Sequence, residues 1–314
     1  MGLMLGRKQR REASSDAQTA APVAAPVATA DRPPAVDGSR NLVVVVLDSL
    51  RYDVCAAANM PNLARLGAVE QRWSYASWTA PSHYNLLMGL LPHDSPTRVF
   101  ASEHYKKDFN RYAERLGVAD IGFADFLPQL SLPGFLRQTL GYRTTAMVSM
   151  PVLNPSTPLN YGFDDFRLMP SHNDMAAMLD DLTFSDERPT FTLLNVGETH
   201  YPYATPGEDT RNWPIISGLH GVVKHLDDPE VATGDGTHFF NQAEMAELRE
   251  RQLVAAEYCD GVIGRLFDTV PDDTWIIVLA DHGELFGEDG YFGHGPVAHE
   301  KVLEVPFVEG RVPR

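Results

Sequence analysis

Runs of apolar residues mark the strands that the sequence predicts. The predicted strand at 41–47 begins with Asn41 and continues as an unbroken apolar run, and residues 275–280 are a second such run; both are rich in β-branched side chains. A strand with one solvent-exposed face alternates polar and apolar residues. Because these runs do not alternate, they predict strands buried on both faces of a parallel sheet. Further strands are predicted at residues 72–76, 142–149, 190–196 and 302–308.

Helices are predicted between these strands. Residues 60–67 have a proline near the start and a glycine at the end, the usual asymmetry of a short helix. Residues 241–270 place Leu248, Val254 and other apolar side chains mostly on one helical face. The remaining helices are predicted at residues 81–89, 103–116, 134–140 and 174–182. We therefore predict an α/β fold, with a mostly parallel central sheet and helices on both faces.

The chain also divides by composition. Residues 1–40 form an Ala/Pro-rich tail that we expect to be disordered, and residues 41–314 form one domain. Within this domain the polar segment 93–133 is predicted to be an insertion or a cap. Residues 150–170 and 205–236 are predicted loops, and the second is long enough to suggest a functional or mobile role.

The two most apolar strands both run into a carboxylate. Asp48 follows the first, and Asp281, His282 and Gly283 follow the second. Ligands of open α/β sheets bind beyond the carboxyl ends of the strands, so both strands would deliver metal ligands from a rigid support. Gly283 would let the backbone approach whatever these residues hold. Alone, Asp-His-Gly is as typical of a polar turn at the end of a strand.

Thr79 lies shortly before the helix at 81–89, and Pro81 fits the first turn of that helix. Thr79 would then lie at or just before the N-cap, among free backbone N–H groups and at the positive end of the helix dipole. A hydroxyl there can be a nucleophile whose phosphate ester finds hydrogen-bond donors. The alternative is a threonine that only caps the helix, which is the commoner role.

A histidine follows the strand at 190–196. His200 lies on a loop that Pro202 restrains, and it is a candidate for binding an anionic group. The alternative is an ordinary surface histidine.

Composition narrows the possible partners. The 314 residues carry a formal net charge of −16, and a surface this acidic lacks the basic footprint that nucleic acids and anionic membranes require. An anion site would therefore need local positive charge, which a metal ion supplies. No stretch reaches transmembrane length. Cys55 and Cys259 form no closely spaced pair, so we expect free thiols, a reducing compartment and a cytoplasmic location.

The tail admits a second interpretation. Arg10, Arg11 and the small residues at 28–30 are compatible with a twin-arginine export signal. The segment between them contains Asp16, Gln18 and two prolines and lacks Leu and Phe. We therefore expect a disordered tail and keep export as the alternative.

Five motifs, taken in order, resemble those of the alkaline phosphatase superfamily in its sulfatase-like branch. They are Val-Leu-Asp-Ser-Leu-Arg-Tyr-Asp from residue 46, Met-Pro-Asn-Leu-Ala-Arg-Leu from residue 60, Thr-Ala-Pro-Ser-His from residue 79, Thr-His-Tyr-Pro-Tyr from residue 199, and Asp-His-Gly-Glu from residue 281 with a later Gly-His-Gly. Each motif is weak alone, but their order between about residues 41 and 308 makes the resemblance strong. It implies the alkaline phosphatase-like fold and a catalytic domain.

The resemblance implies one divalent metal ion. Its ligands would be Asp48, Thr79, Asp281 and His282, and Thr79 would be the catalytic nucleophile. Oxygen and nitrogen ligands of this kind admit Mn, Zn, Mg or Ca.

The resemblance also implies substrate-binding groups at His200 and His294. Sulfatases of this branch have the motif Cys-x-Pro-Ser-Arg, where this chain has Thr79 in place of the cysteine and His83 in place of the arginine. We therefore expect His83 to bind substrate as well. Sulfatases carry a second acidic ligand where this chain has Ser49. In these departures from the sulfatases the chain resembles threonine-nucleophile phosphotransferases such as lipoteichoic acid synthase.

We expect a metal-dependent hydrolase or transferase that acts on a phosphate ester, in a small molecule or a conjugate, through Thr79. A sulfatase is one alternative, and the missing cysteine disfavours it. The other alternative is a catalytically silent member that binds a ligand or a partner. The end of the chain soon after Val308, where many relatives continue, favours it, and the complete ligand set disfavours it.

Overall fold

A computed structural model describes residues 32–95, 100–126, 130–213, 241–295 and 297–314. Residues 1–31 of the tail and residues 214–236 of the predicted loop lie outside these residues. The predictions of disorder, export and a cytoplasmic location therefore stay predictions.

The described part of the chain contains nine strands, and seven of them form one sheet. The strands are β1 Asn41–Leu47, β2 Glu70–Trp73, β3 Arg143–Val148, β4 Asp165–Leu168, β5 Thr190–Val196, β6 Thr274–Leu279, β7 Leu285–Phe286, β8 Phe292–Gly293 and β9 Glu304–Arg311. The sheet order is β2-β9-β6-β1-β5-β3-β4, and β7 pairs with β8 separately. Strands β6, β1, β5, β3 and β4 are parallel neighbours, whereas β9 runs antiparallel to β6 and β2. The predicted mostly parallel sheet is confirmed.

Helices cover both faces of this sheet. They are α1 Tyr52–Ala57, α2 Pro61–Leu66, α3 Thr79–Leu87, α4 Ala101–Asn110, α5 Tyr112–Leu116, α6 Phe123–Phe126, α7 Leu132–Thr139, α8 Met175–Asp180, α9 Gln242–Thr269 and α10 Glu300–Leu303. Alternate side chains of β1 enter two separate cores: Val43 and Val45 pack with α9, while Val44 packs with α5 and α7. Complete burial on both faces explains why the strand reads as an unbroken apolar run.

The peripheral elements depart most from the prediction. The predicted helix at 103–116 is interrupted at Arg111, so that α4 and α5 are separate. The predicted loop at 150–170 contains the edge strand β4, whose polar side chains give no apolar run. The predicted strands at 72–76 and 302–308 are displaced by about two residues, and the second is preceded by α10.

The described part of segment 93–133 packs onto the sheet. Phe109, Tyr112 and Phe126 are buried in the same core as Val44. These helices therefore belong to the layer that covers one face of the sheet, and the origin of the segment as an insertion or cap stays a prediction.

Helix α9 differs from the prediction in one position that affects the site. Val254, predicted on the buried face, is 44% exposed, whereas Gln252 is fully buried. The buried face runs through Leu248, Gln252, Ala255 and Cys259, a helical spacing of four and three residues. Cys259 and Cys55 are buried and free, as predicted. Within the described ranges, no helix has both the length and the hydrophobicity for a membrane crossing.

Candidate active site

Neighbouring parallel strands bring the predicted metal ligands to one point. Val46 in β1 pairs with Leu279 in β6, so the residues that follow the two strands lie side by side. One ligand atom from each of Asp48, Asp281 and His282 lies within 4.8 Å of the others, and all three side chains are buried. The sheet therefore assembles three of the four ligands that the resemblance implies.

The two carboxylates of this cluster have different hydrogen bonds. Asp48 accepts from the Ser49 hydroxyl at 3.1 Å and from Nδ2 of Asn195 at 2.8 Å. Oδ1 of Asp281 accepts from the backbone N–H groups of Ser49 and His282, at 3.1 and 3.0 Å. Oδ2 of Asp281 is buried without a hydrogen-bond partner. A buried oxygen left in this way is costly unless a cation meets it.

The pKa values follow from this arrangement. Burial, and then the charge of Asp48, raise the pKa of Asp281 well above its usual range. Burial acts in the same direction on Asp48, but attraction from His200 and His282 and the hydrogen bond from Asn195 lower the pKa of Asp48 overall. Two carboxylates this close cannot both ionise without a counterion. The raised pKa of Asp281 favours its protonated form when no cation is bound.

His282 presents a lone pair to the carboxylates. Its Nδ1 donates to the Gly283 carbonyl at 2.9 Å, which leaves Nε2 as the acceptor nitrogen. Nε2 lies 3.4 Å from Oδ2 of Asp281 and 3.8 Å from Oδ1 of Asp48. Burial, and then the nearby His294, hold the pKa of His282 well below its usual value, which favours the neutral ring, the form that binds metals. Two carboxylates, a neutral imidazole and an unpartnered oxygen fit a divalent metal ion.

Thr79 is the first residue of α3, and Trp78 is its N-cap. Thr79 was predicted to lie at or just before the N-cap. The helix instead begins two residues before Pro81, so Thr79 lies inside its first turn. Its Oγ1 lies 3.4 Å from Oδ1 of Asp48 and 3.2 Å from Nε2 of His282. The hydroxyl therefore points at the ligand cluster rather than back at the helix.

His83 lies one turn after Thr79 on the same face of α3. Its Nδ1 donates to the Thr79 carbonyl at 2.8 Å and lies 3.6 Å from Oδ2 of Asp281. The side chain is buried, and it is absent from the residues that line the cavity above Thr79. An imidazole is shorter than the arginine it replaces, and here the ring packs against the Thr79 carbonyl and Asp281. The substrate-binding role of His83 stays a prediction.

His200 and His294 do line that cavity, together with Thr79. Nδ1 of His294 donates to Glu284 at 2.8 Å. The His294 ring lies 4.3 Å from the ring of His282, centroid to centroid, and 5.2 Å from that of His200. Burial acts to lower the pKa of His294, but Glu284 raises it overall. The raised pKa of His294 favours the imidazolium form, which would give the cavity local positive charge in an otherwise acidic chain.

Three buried side chains that support these residues were missed in the sequence. Asn195 is a polar residue inside an apolar strand, which was a readable signal. Glu284 stands in the Asp-His-Gly-Glu motif, and its second oxygen accepts from the Tyr203 hydroxyl at 2.9 Å.

Gln252 gave a weaker signal, a polar residue in a long helix. Its Nε2 donates to the carbonyls of Ser49 and Thr199, at 2.9 and 3.0 Å. It thereby ties the loop after β1 to the loop after β5 that carries His200.

The cavity above Thr79 has a volume of about 650 Å³. This volume lies within the usual range for small-molecule sites. Its floor carries the nucleophile candidate and the two histidines, so a ligand in the cavity would meet Thr79 directly.

Comparisons with known proteins agree with this architecture. A family profile described as Sulfatase matches residues 40–308. No protein of curated function matches the chain. The fold is similar to that of the C-terminal periplasmic domain of EcEptC from Escherichia coli in complex with Zn, with a TM-score of 0.54, 15% identity, and coverage of 90% of this chain and 77% of that one.

Two further solved structures have the same fold. The soluble domain of lipooligosaccharide phosphoethanolamine transferase A from Neisseria meningitidis has a TM-score of 0.54 and 15% identity, and the match covers 89% of this chain and 78% of that one. The phosphonate monoester hydrolase of Agrobacterium radiobacter has a TM-score of 0.52 and 14% identity, and the match covers 86% of this chain and 68% of that one. The fold, the clustered ligands and the match over residues 40–308 together establish that the chain belongs to the sulfatase family of the alkaline phosphatase-like superfamily.

Proposed function

We propose that this chain is a metal-dependent phosphatase or phosphotransferase that acts on a phosphate ester through Thr79. The observation that carries the proposal is the position of the Thr79 hydroxyl, within 3.4 Å of Asp48 and 3.2 Å of His282. These are two of the three clustered ligand candidates. A nucleophile beside a metal ion has its hydroxyl pKa lowered where the reaction needs it.

Asp48, Asp281 and His282 would hold one divalent ion next to Thr79. Once bound, the ion would activate the threonine hydroxyl and neutralise charge on the transferred group. The unpartnered Oδ2 of Asp281 supports this assignment. Zn is present in the structure of EcEptC, whereas for this chain Mn, Zn, Mg and Ca all suit the donor set.

The residues of the chain divide the chemistry between them. The Thr79 oxygen forms a bond to phosphorus while the bond from phosphorus to the leaving alcohol breaks, as in other in-line displacements. Oδ1 of Asp48, 3.4 Å away, accepts the threonine proton. The alcohol oxygen leaves with the bonding electron pair and takes the Nε2 proton of His294, which Glu284 holds through Nδ1.

The second half of the reaction releases Thr79. Water or an acceptor alcohol attacks phosphorus and gives its proton to Nε2 of His294. The bond from phosphorus to the Thr79 oxygen breaks, and that oxygen takes back the proton held by Asp48. His200 stabilises the negative charge on the equatorial oxygens during both displacements, and His294 does so until it gives up its Nε2 proton.

Because the matching family is described as Sulfatase, sulfate ester hydrolysis is the alternative function. A sulfatase with a hydrated aldehyde at this position can expel sulfate, because a second hydroxyl on the same carbon drives the elimination. Thr79 has one hydroxyl and no such route, so a sulfated Thr79 would be a stalled ester. A phosphorylated Thr79 still accepts in-line attack at phosphorus.

The test compares p-nitrophenyl phosphate, bis-p-nitrophenyl phosphate and p-nitrophenyl sulfate in steady state with added Mn or Zn. We expect repeated turnover of a phosphate ester and at most one equivalent of product from the sulfate. Thr79→Ser should keep measurable turnover, and Thr79→Asn should fold and be inactive. Sustained sulfate turnover above that of both phosphates would favour the sulfatase. A metal-loaded protein without any turnover would favour the silent member.

A further inference from the structure

The cavity above Thr79 has a wall that the chemistry of the nucleophile does not use. It is formed by apolar and aromatic residues, Trp78, Met150, Pro151, Val152, Tyr201 and Pro202. Trp78 is 49% exposed and Val152 is 44% exposed. A continuous exposed apolar surface beside a reactive group is typical of a ligand-binding wall.

Charged partners are absent from this wall. Among the described residues that line the cavity, none is Lys, Arg, Asp or Glu. The third histidine of the lining is His172, and burial, then the proximity of His200, lower the pKa of His172, which keeps its ring neutral. A second anionic group on the substrate, or an ammonium group such as that of phosphoethanolamine, would lose its hydration there without gaining an ion pair.

The wall is fixed to the catalytic residues at two points. Trp78 immediately precedes Thr79 in the first turn of α3. The segment 150–152 is held by Asn195, whose Oδ1 accepts the N–H of Met150 at 3.1 Å while its Nδ2 donates to Asp48 at 2.8 Å. One amide side chain therefore sets the distance between the wall and a metal-ligand candidate.

We propose that the alcohol portion of the substrate ester is neutral and apolar, with an aromatic ring or a similarly flat group that packs against Trp78 and segment 150–152. This inference rests on the function proposed above, because the ester oxygen must lie at Thr79. The phosphoryl group occupies the polar floor, and the carbon skeleton of the leaving alcohol occupies the wall.

The experiment measures binding without turnover. Benzylphosphonate, methylphosphonate and 2-aminoethylphosphonate are titrated calorimetrically into the Zn- or Mn-loaded full chain. The three ligands share the phosphonate and differ only in the group that would reach the wall. We expect benzylphosphonate to bind about tenfold or more tightly than the other two, which corresponds to about 1.4 kcal/mol.

Two variant pairs locate the preference. Trp78→Ala should remove most of the benzyl preference, whereas Tyr84→Ala, a 43% exposed aromatic on the same helix but outside the cavity lining, should keep it. Should Trp78→Ala fail to fold, Val152→Asp replaces it, with Val254→Asp as the control at an equally exposed valine on α9. Val152→Asp should weaken benzylphosphonate about tenfold and methylphosphonate less.

The outcomes separate this inference from the proposed function. Equal binding of benzylphosphonate and methylphosphonate, or tighter binding of 2-aminoethylphosphonate, overturns the apolar leaving group and leaves the phosphate site intact. A benzyl preference that survives both Trp78→Ala and Val152→Asp overturns it as well. Failure of the metal-loaded wild-type chain to bind any phosphonate overturns the anion site itself, and the inference with it.

Discussion

The loop after β1 and the loop after β6 each bring a buried aspartate to the same point, and they hold it in opposite ways. Asp48 accepts side-chain hydrogen bonds from Ser49 and Asn195. Among the residues that the structure describes, Asp281 accepts hydrogen bonds only from backbone N–H groups, at one oxygen, and its other oxygen has no hydrogen-bond partner. Half of the site is therefore prepared as an anion, and the other half requires a cation or a proton.

The opposite pKa shifts of the two aspartates give their contributions to folding stability opposite dependences on pH. Because burial and Asp48 raise the pKa of Asp281, its contribution to stability is present below its unfolded pKa and is lost as the pH rises. For Asp48, burial is outweighed by His200, His282 and Asn195, and the pKa is lowered. Its contribution is present above its unfolded pKa and is lost as the pH falls.

The largest expected effect comes from removing each carboxylate in turn. Asp48→Asn and Asp281→Asn should each lower metal affinity on the order of a thousandfold, since each removes one of the two carboxylates of the candidate site. Without metal the two should diverge at neutral pH. Asp281→Asn should leave the free energy of unfolding unchanged or raise it, and Asp48→Asn should lower it by about 2 kcal/mol. Metal titration and urea unfolding with a chelator measure the two quantities.

Asp260→Asn is a suitable control for this comparison. Asp260 is a buried carboxylate that accepts from the backbone N–H of Leu63 at 2.7 Å, outside the ligand cluster. It should lower stability and leave metal affinity unchanged. Equal destabilisation of the metal-free protein by Asp48→Asn and Asp281→Asn would contradict the difference drawn between the two loops.

The buried carboxylate of Glu198 extends the comparison to a residue outside the candidate metal-binding cluster. Glu198, after β5, accepts from the N–H of Met175 at 2.8 Å, and its Oε2 has no partner. Burial raises the pKa of Glu198 to about 7. The folded protein thus keeps a proton that the unfolded chain releases near a pKa of about 4.3. The stabilising contribution is full below that value and is lost as the pH rises through about 7.

Glu198→Gln should remove this pH dependence. Relative to the wild type, its free energy of unfolding should increase by roughly 3 kcal/mol between about pH 4 and about pH 8, since the amide resembles the protonated acid. Urea unfolding across this range measures the change. The increase should be the same with and without metal. An increase that disappears when metal is bound would place Glu198 in the electrostatics of the ligand cluster, against its assignment here.

The loops after β1 and β6 also show which features of the site could be predicted from the sequence and which could not. Asp48 and Asp281 were readable because each directly follows an apolar strand, and this is a local pattern. Their different environments were not readable, because Asn195 reaches Asp48 from another strand, 147 residues away in the chain. The parallel core was predicted for the same local reason, and the antiparallel direction of β9 was not, since an apolar run carries no direction.

His83 and Gln252 mark two further limits. The substrate-binding role of His83 was inferred from its place in a motif and stays a prediction. The hydrogen bond from its ring to the Thr79 carbonyl could not be predicted, because motif spacing does not include side-chain length. In α9, apolar residues alone identified the buried face, so the exposed Val254 was included and the buried Gln252 omitted. A buried amide that bridges two loop carbonyls is recognised only when both loops are in place.

The smallest expected effect comes from making Asp48 more like Asp281. Asn195→Ala removes the only hydrogen bond described to Oδ2 of Asp48 and leaves that oxygen without a side-chain donor. Residues that orient a metal ligand typically contribute 10-fold to 100-fold in affinity, so we expect metal affinity to fall by about 10-fold to 100-fold. The same variant frees the Met150 N–H, so the position of the apolar wall should loosen as well.

Asn41→Ala is the matched control for this last prediction. Asn41 lies at the opposite end of β1, where its Oδ1 accepts from the N–H of Thr190 at 2.8 Å. The two variants remove the same side chain from neighbouring strands, at opposite ends of the sheet. Asn41→Ala should therefore lower stability by about 1 kcal/mol without changing metal affinity. Metal titration of both proteins decides the matter: equal affinities would mean that Asp48 is held by Ser49 and the backbone alone, and the distinction between the two loops would then rest on Asp281.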